Sequence, residues 1–182
     1  VVTPLPPSRS GISDYVVDLA PAMARHADIV YLHDVRESAA LTGLDVQPET
    51  LLPEVAPQCD ALLYHMGNSA FHCGMYAHLR RFTGFTVLHD YNLTGMLWHI
   101  HQTNLPLGIR FTEELAHQYG ATEAAQVEKR LRAKEWEIAK LPTHGYYGNR
   151  RIFSRSLGVV LHSEWAMAKA KADFGDLCPL LH

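Results

Sequence analysis

The chain has 182 residues, 47% of them hydrophobic and 19% charged, with a formal net charge of −3. These figures suit a water-soluble domain with a sizeable core and exclude the basic footprint of a nucleic-acid binder. No apolar run approaches the roughly 18 residues of a membrane span, and Cys59, Cys73 and Cys178 have unrelated spacings that argue against a disulfide framework or a zinc site and fit a reducing compartment.

In chain order, Val1-Val2-Thr3 reads as the tail of a strand that runs straight into prolines, not as a leader. Ile12, Tyr15, Val16, Leu19 and Met23 then recur at helical intervals, with Ser10 as N-cap and Asp14 in the first turn. A short strand is expected at Ile29–Leu32, and the proline- and glycine-punctuated stretch 42–57 is expected to be irregular or only briefly helical. Strands are predicted at Ala61–His65, Phe85–His89 and Leu157–Leu161, with a helix over Met75–Phe82. Two or three helices are expected between Leu93 and Lys140, the clearest over Thr122–Leu141, and another from Glu164 to Phe174. Asp176–His182 reads as an extended segment. Apolar strands separated by helices predict an α/β, doubly wound parallel sheet with helices on both faces. The strand order is not encoded in sequence order.

Open parallel sheets bind ligands outside the carboxyl ends of their strands, and four polar clusters fall at such ends. They are Arg9-Ser10-Gly11, His65-Met66-Gly67-Asn68, His89-Asp90-Tyr91-Asn92 and His162-Ser163-Glu164. Gly11 at a helix start permits close approach of a ligand to unpaired N–H groups and a positive dipole end, the chemistry of a phosphate site. The spacing matches neither the dinucleotide fingerprint nor a P-loop. His89 beside Asp90 is suited to bond a ligand hydroxyl or to be held in one tautomer. The plainer readings are a Ser-Gly turn that starts a helix and a histidine that caps one. His65 with His72, and His99 with His101, lack metal-ligand spacing, so no metal is expected.

These residues resemble the family-4 retaining glycosyltransferases, whose fold is the two-Rossmann-domain GT-B type. The resemblance rests on Pro4-Leu5-Pro6-Pro7 with Arg9-Ser10-Gly11-Ile12 and Asp14-Tyr15; on Tyr64-His65-Met66-Gly67-Asn68 with His72; on Val87-Leu88-His89-Asp90 with Leu93; and on Val159-Val160-Leu161-His162-Ser163. It implies sugar transfer from a nucleotide-sugar, the nucleotide-diphosphate-sugar donor, to a glycan, lipid or small-molecule acceptor with retention of configuration, and without a resident cofactor. Residues 1–175 would be the Rossmann-like acceptor-side domain and 176–182 the start of a linker to a donor-binding domain outside this chain, so the fragment alone would be inactive. Gly11, with Ser10 and Arg9, would face the donor diphosphate. His89 would be the catalytic residue beside the transferred sugar, and His65, Asn68, Asp90, Tyr91 and Ser163 would line the acceptor or sugar side.

Two other classes stay open: a stand-alone Rossmann-like module that binds a sugar or nucleotide without chemistry, and an interaction domain that docks through the charged stretch 122–141. That stretch reads most simply as a solvated face with ion pairs, and more sharply as a membrane-surface face. The expected location is the cytoplasm, with peripheral contact at the inner membrane face under the sharper reading.

Overall fold

The computed structural model describes residues 1–34 and 43–182; Thr42, part of the stretch expected to be irregular, lies outside the described residues. The strands are β1 (Val30–His33), β2 (Asp45–Pro48), β3 (Leu63–Met66), β4 (Gly84–Leu88), β5 (Ser156–Leu161) and β6 (Leu180–Leu181). Every strand pairing among the described residues is parallel. β2 pairs with β1, and β3, β4, β5 and β6 follow one another as a four-stranded sheet. Val2 bridges both Leu32 and Tyr64, so the N-terminal segment lies between β1 and β3. The strands are thus ordered β2, β1, N-terminal segment, β3, β4, β5, β6. The class is α/β, compatible with a Rossmann-like fold.

The helices are α1 (Gly11–Met23), α2 (Leu52–Val55), α3 (Cys73–Leu79), α4 (Thr94–Thr103), α5 (Phe111–Tyr119), α6 (Ala121–Arg132), α7 (Arg150–Arg155) and α8 (Glu164–Phe174). Among the described residues no helix is long and apolar enough to cross a membrane. Tyr31 and Leu32, adjacent on β1, point to opposite sides of the pleat and join different apolar clusters. Tyr31 packs with Leu5 and with Val16 and Ala20 of α1. Leu32 belongs to the larger cluster with Val2, Tyr64, Met66, Leu79, Met96, Ile152 and Ala170.

Several local expectations are corrected. The stretch expected to be irregular contains β2, whose single aliphatic residue, Val46, gives too little alternation to read; Pro48 ends the strand, where its missing N–H breaks no ladder. The helix expected over Thr122–Leu141 ends at Arg132. Lys134 takes φ 58°, the N–H groups of Glu135 and Trp136 turn back to the Arg130 carbonyl, and a 3-10 segment covers Ile138–His144. That reversal brings Trp136 and Ile138 onto the main core, whereas a continuous helix would follow only its weak stripe. α7 has six residues, too few for a readable period, although Ile152 and Phe153 are fully buried. The expected extended segment after α8 pairs with the sheet: Leu180 and Leu181 lie opposite Val159 and Val160.

A buried carboxylate ties α5 to α3 and α7. Glu114 accepts from Tyr76 Oη at 2.8 Å and from Arg151 Nε and Nη2 at 2.9 and 3.2 Å. Its side chain is 3% exposed, so these partners replace the water it loses. Replacing Arg151 with Leu strands the carboxylate and should cost about 3–5 kcal/mol, read as a lowered urea midpoint; an unchanged midpoint would show that the pair contributes nothing.

Candidate functional site

Parallel pairing sends the carboxyl ends of the strands to one edge. Leu88 of β4 lies opposite Leu161 of β5, so the residues that follow, His89 and His162, emerge side by side. Met66 lies opposite Leu88, which sets Gly67 beside His89 and His65 one step behind it. The N-terminal segment runs alongside: His65 N–H donates to the Val2 carbonyl at 3.0 Å, and Thr3 N–H to that of Leu32 at 3.1 Å.

Three imidazoles and one phenol pack at this edge. His65 Nδ1 lies 3.0 Å from His89 Nε2, with the rings stacked at 5.3 Å. The His89 and His162 ring centroids are 4.8 Å apart. Tyr15, one turn into α1, lies 5.9, 5.0 and 5.7 Å from His65, His89 and His162. His65 is wholly buried, His89 half-buried, and His162 and Tyr15 exposed. A ligand at the edge therefore meets Tyr15, His89 and His162, and His65 only through His89.

Burial keeps the inner rings neutral. It lowers His65 to about 3, assisted by His89, and His89 to about 4, assisted by His162 and His72, with Asp90 acting the other way. His72 is lowered to about 4, again chiefly by burial. Two neutral imidazoles share one proton across the 3.0 Å contact. When His65 donates, His89 Nε2 accepts and its proton sits on Nδ1; reversing both tautomers turns His89 Nδ1 into an acceptor. A neutral histidine of this kind can serve a hydroxyl in either sense.

The remaining expected residues are distributed unevenly. Gly11 is exposed, and a Cβ there would meet nothing within 4 Å. Ser10 occupies the N-cap position of α1 but its side chain makes no capping bond; Ser13 N–H donates to the Ser10 carbonyl at 2.9 Å, which leaves the N–H groups of Gly11 and Ile12 open to a ligand. Arg9 is exposed and has no hydrogen bond or ion pair among the described residues. Asn68, Asp90, Tyr91 and Ser163 hold the scaffold. Asn68 Oδ1 accepts from Met96 N–H at 2.9 Å at the start of α4, and Asn68 N–H donates to Asp90 Oδ2 at 2.8 Å. Tyr91 is buried, its hydroxyl donating to Asp173 at 3.0 Å and its carbonyl accepting from Asn149 at 2.7 Å. Ser163 Oγ caps α8 by accepting from Ala166 N–H at 3.2 Å.

Gly67 is the point of closest approach between these parts. A Cβ there would lie 2.6 Å from Ile12 Cδ1, 2.9 Å from His72 Nε2 and 3.1 Å from Asp90 Oδ2. Sequence reasoning set His162 in a strand-end cluster and included Tyr15 and His72 in the resemblance, but gave none of the three a role in the site. The signal for His162 was available, since it follows Leu161 as His89 follows Leu88. Tyr15 was counted in the apolar face of α1, yet the buried residues of that helix are Ser13, Val16 and Ala20. Trp165, 57% exposed, adds an aromatic surface at the same edge, edge-on to Tyr91 at 5.4 Å. Among the described residues no three His, Cys, Asp or Glu side chains converge on a metal position. No protein-family model, no curated protein and no solved structure matches the chain.

Two outcomes follow. Below the ordinary histidine value of 6.5 the unfolded chain takes up protons that folded His65, His72 and His89 refuse. Each costs about 1.4 kcal/mol of stability per pH unit down to its folded value. Urea midpoints should therefore fall steeply from about pH 6.5 to about pH 4, less steeply in His89→Gln, and parallel profiles for the two proteins would contradict this. Gly67→Ala should lower the melting temperature by overpacking, at a cost of about 1–3 kcal/mol; a fully tolerated alanine would mean that the contacts with Ile12 and His72 relax freely.

Proposed function

We propose that the chain is the acceptor-side domain of a retaining glycosyltransferase that uses a nucleotide-diphosphate-sugar. In this reading the sheet is a doubly wound half of a GT-B architecture. The strand order and the separate apolar clusters carrying Tyr31 and Leu32 support it. In this reading most donor contacts belong to the other half of the GT-B architecture.

The observation that carries the proposal is the union, at one sheet edge, of an uncapped helix start with a neutral strand-tip histidine. Tyr15 belongs to α1 and touches the His89 ring, so the open N–H groups near Gly11 and the hydroxyl-bonding imidazole are parts of one surface. The first turn of α1, with Ser10 and Arg9, faces the donor diphosphate and stabilises the charge that grows as it leaves. His89 bonds a hydroxyl of the transferred sugar, and His65 behind it sets the tautomer. The acceptor hydroxyl attacks the anomeric carbon on the face from which the diphosphate departs, which gives retention and needs no protein nucleophile. Asn68, Asp90 and Ser163 shape the acceptor wall chiefly through the loops they hold. In this reading the domain works in the cytoplasm.

A binding module without chemistry is the second reading. It is favoured by the absorption of Asn68, Asp90, Tyr91 and Ser163 into internal hydrogen bonds.

The test is transfer by the full-length protein across a panel of nucleotide-sugars, with product anomers assigned by NMR. Retained configuration is expected, with kcat reduced on the order of a hundredfold in His89→Ala. Nucleotide-sugar binding without turnover would select the module, and an inverted product would sink the proposal. Gly11→Ala should leave folding intact, because its Cβ meets open space, while raising the donor KM about tenfold, near 1.4 kcal/mol; an unchanged KM would separate Gly11 from the diphosphate.

A further inference from the structure

A second polar hollow lies away from the strand-end histidines. It encloses about 480 Å³ between α3, the turn at Pro106–Gly108 and α7, a size in the range of small-ligand pockets. Gly74, Ala77, His78 and Arg81 follow one another at helical intervals along one wall, and Arg151 and Arg155, one turn apart on α7, form another. α3 ends shortly before Gly84, the first residue of β4, and α7 runs directly into Ser156, the first residue of β5. Arg81 and Arg155 therefore stand toward the amino ends of the strands, the edge opposite the histidines.

Four guanidinium groups, Arg80, Arg81, Arg151 and Arg155, line this hollow against one carboxylate, Glu49, in a chain of net charge −3. Two of them are fixed in place. Arg151 is clamped to Glu114, and Arg80 donates to the Gly108 carbonyl at 2.7 Å. Glu49 faces His78 at 3.7 Å. Arg81 and Arg155 are exposed and have no ion pair among the described residues. Nearby, His117 is held below its usual value by burial first and by Arg151 next, with Glu114 opposing. Cations at the ends of α3 and α7 offset helix dipoles, but that role does not require four of them to converge on one cavity. Guanidinium forks match phosphate oxygens in pairs.

We propose that the hollow between α3 and α7 binds a small soluble anion through its phosphate groups, at a site separate from the strand-end edge. Arg81 and Arg155 grip the phosphates, Arg80 and Arg151 are pre-positioned donors, and the open rim at Gly108, where a Cβ would meet nothing within 4 Å, admits the ligand.

The probe is inorganic pyrophosphate, titrated into ¹⁵N-labelled protein and followed by amide spectra. The Gly74 and Gly108 signals should move together on one saturable curve. Arg81→Glu combined with Arg155→Glu should weaken that response about tenfold or more, near 1.4 kcal/mol. The charge-matched pair Arg25→Glu and Lys140→Glu, on other faces, should leave it intact, and the spectra themselves report whether each variant is folded. Static Gly74 and Gly108 signals in the parent protein would overturn the proposal. So would equal affinity in the two double variants, or a charge-reversal effect seen only in sedimentation with phosphatidate-containing vesicles, which would assign the arginines to a lipid phosphate. The Gly11 amide reports the strand-end site independently, so either site can fail without the other.

Discussion

The segment Val1–Thr3 is the seam of the sheet. Leu32 N–H donates to the Val1 carbonyl and Thr3 N–H to the Leu32 carbonyl, at 2.7 and 3.1 Å; on the other side Val2 N–H donates to Leu63 and His65 N–H to Val2, at 2.8 and 3.0 Å. Without these four bonds the β1–β2 pair and the β3–β6 sheet would be separate ribbons, each with an open edge. Because the seam is parallel to both neighbours, the residues that leave it arrive at the same edge as His33 and His65. α1 consequently begins beside the strand tips, and its partner Tyr31 lies on the adjoining strand. Val2 and Leu5 are fully buried, so desolvated packing reinforces the hydrogen bonds.

The histidine edge shows what that placement costs. Imidazoles prefer water when charged, and burial removes that option for His65, His72 and His89. The Nε2 of His65 and Nδ1 of His72 are buried and have no hydrogen-bond partner among the described residues. A core built for stability alone would place apolar side chains there. Neutral buried rings at a sheet edge support the function proposed for this surface. The arginine hollow illustrates a different expense, in which like charges are held near one another by Glu114 and the Gly108 carbonyl.

Much of this arrangement was legible in the sequence, and the gaps have physical causes. Long apolar or periodic runs, such as Leu157–Leu161 and Glu164–Phe174, read correctly because burial dictates their composition. β2 was unreadable because an edge strand with one aliphatic residue is specified by its neighbour β1. The break after Arg132 depends on Trp136 and Ile138 finding the core, a long-range reward that helix propensity does not anticipate. At the site, the strand-end clusters predicted where polar groups gather but not which would face outward. Asn68, Asp90, Tyr91 and Ser163 have side chains suited equally to ligands and to capping, and only tertiary contacts decide between the two. Tyr15 was given no role at the site because an aromatic at helical spacing resembles core.

Tyr15 also joins two parts of the edge. Its backbone is part of the first turns of α1, and its ring rests against all three imidazoles. The start of α1 and the His65–His89 contact are thus parts of one packed surface.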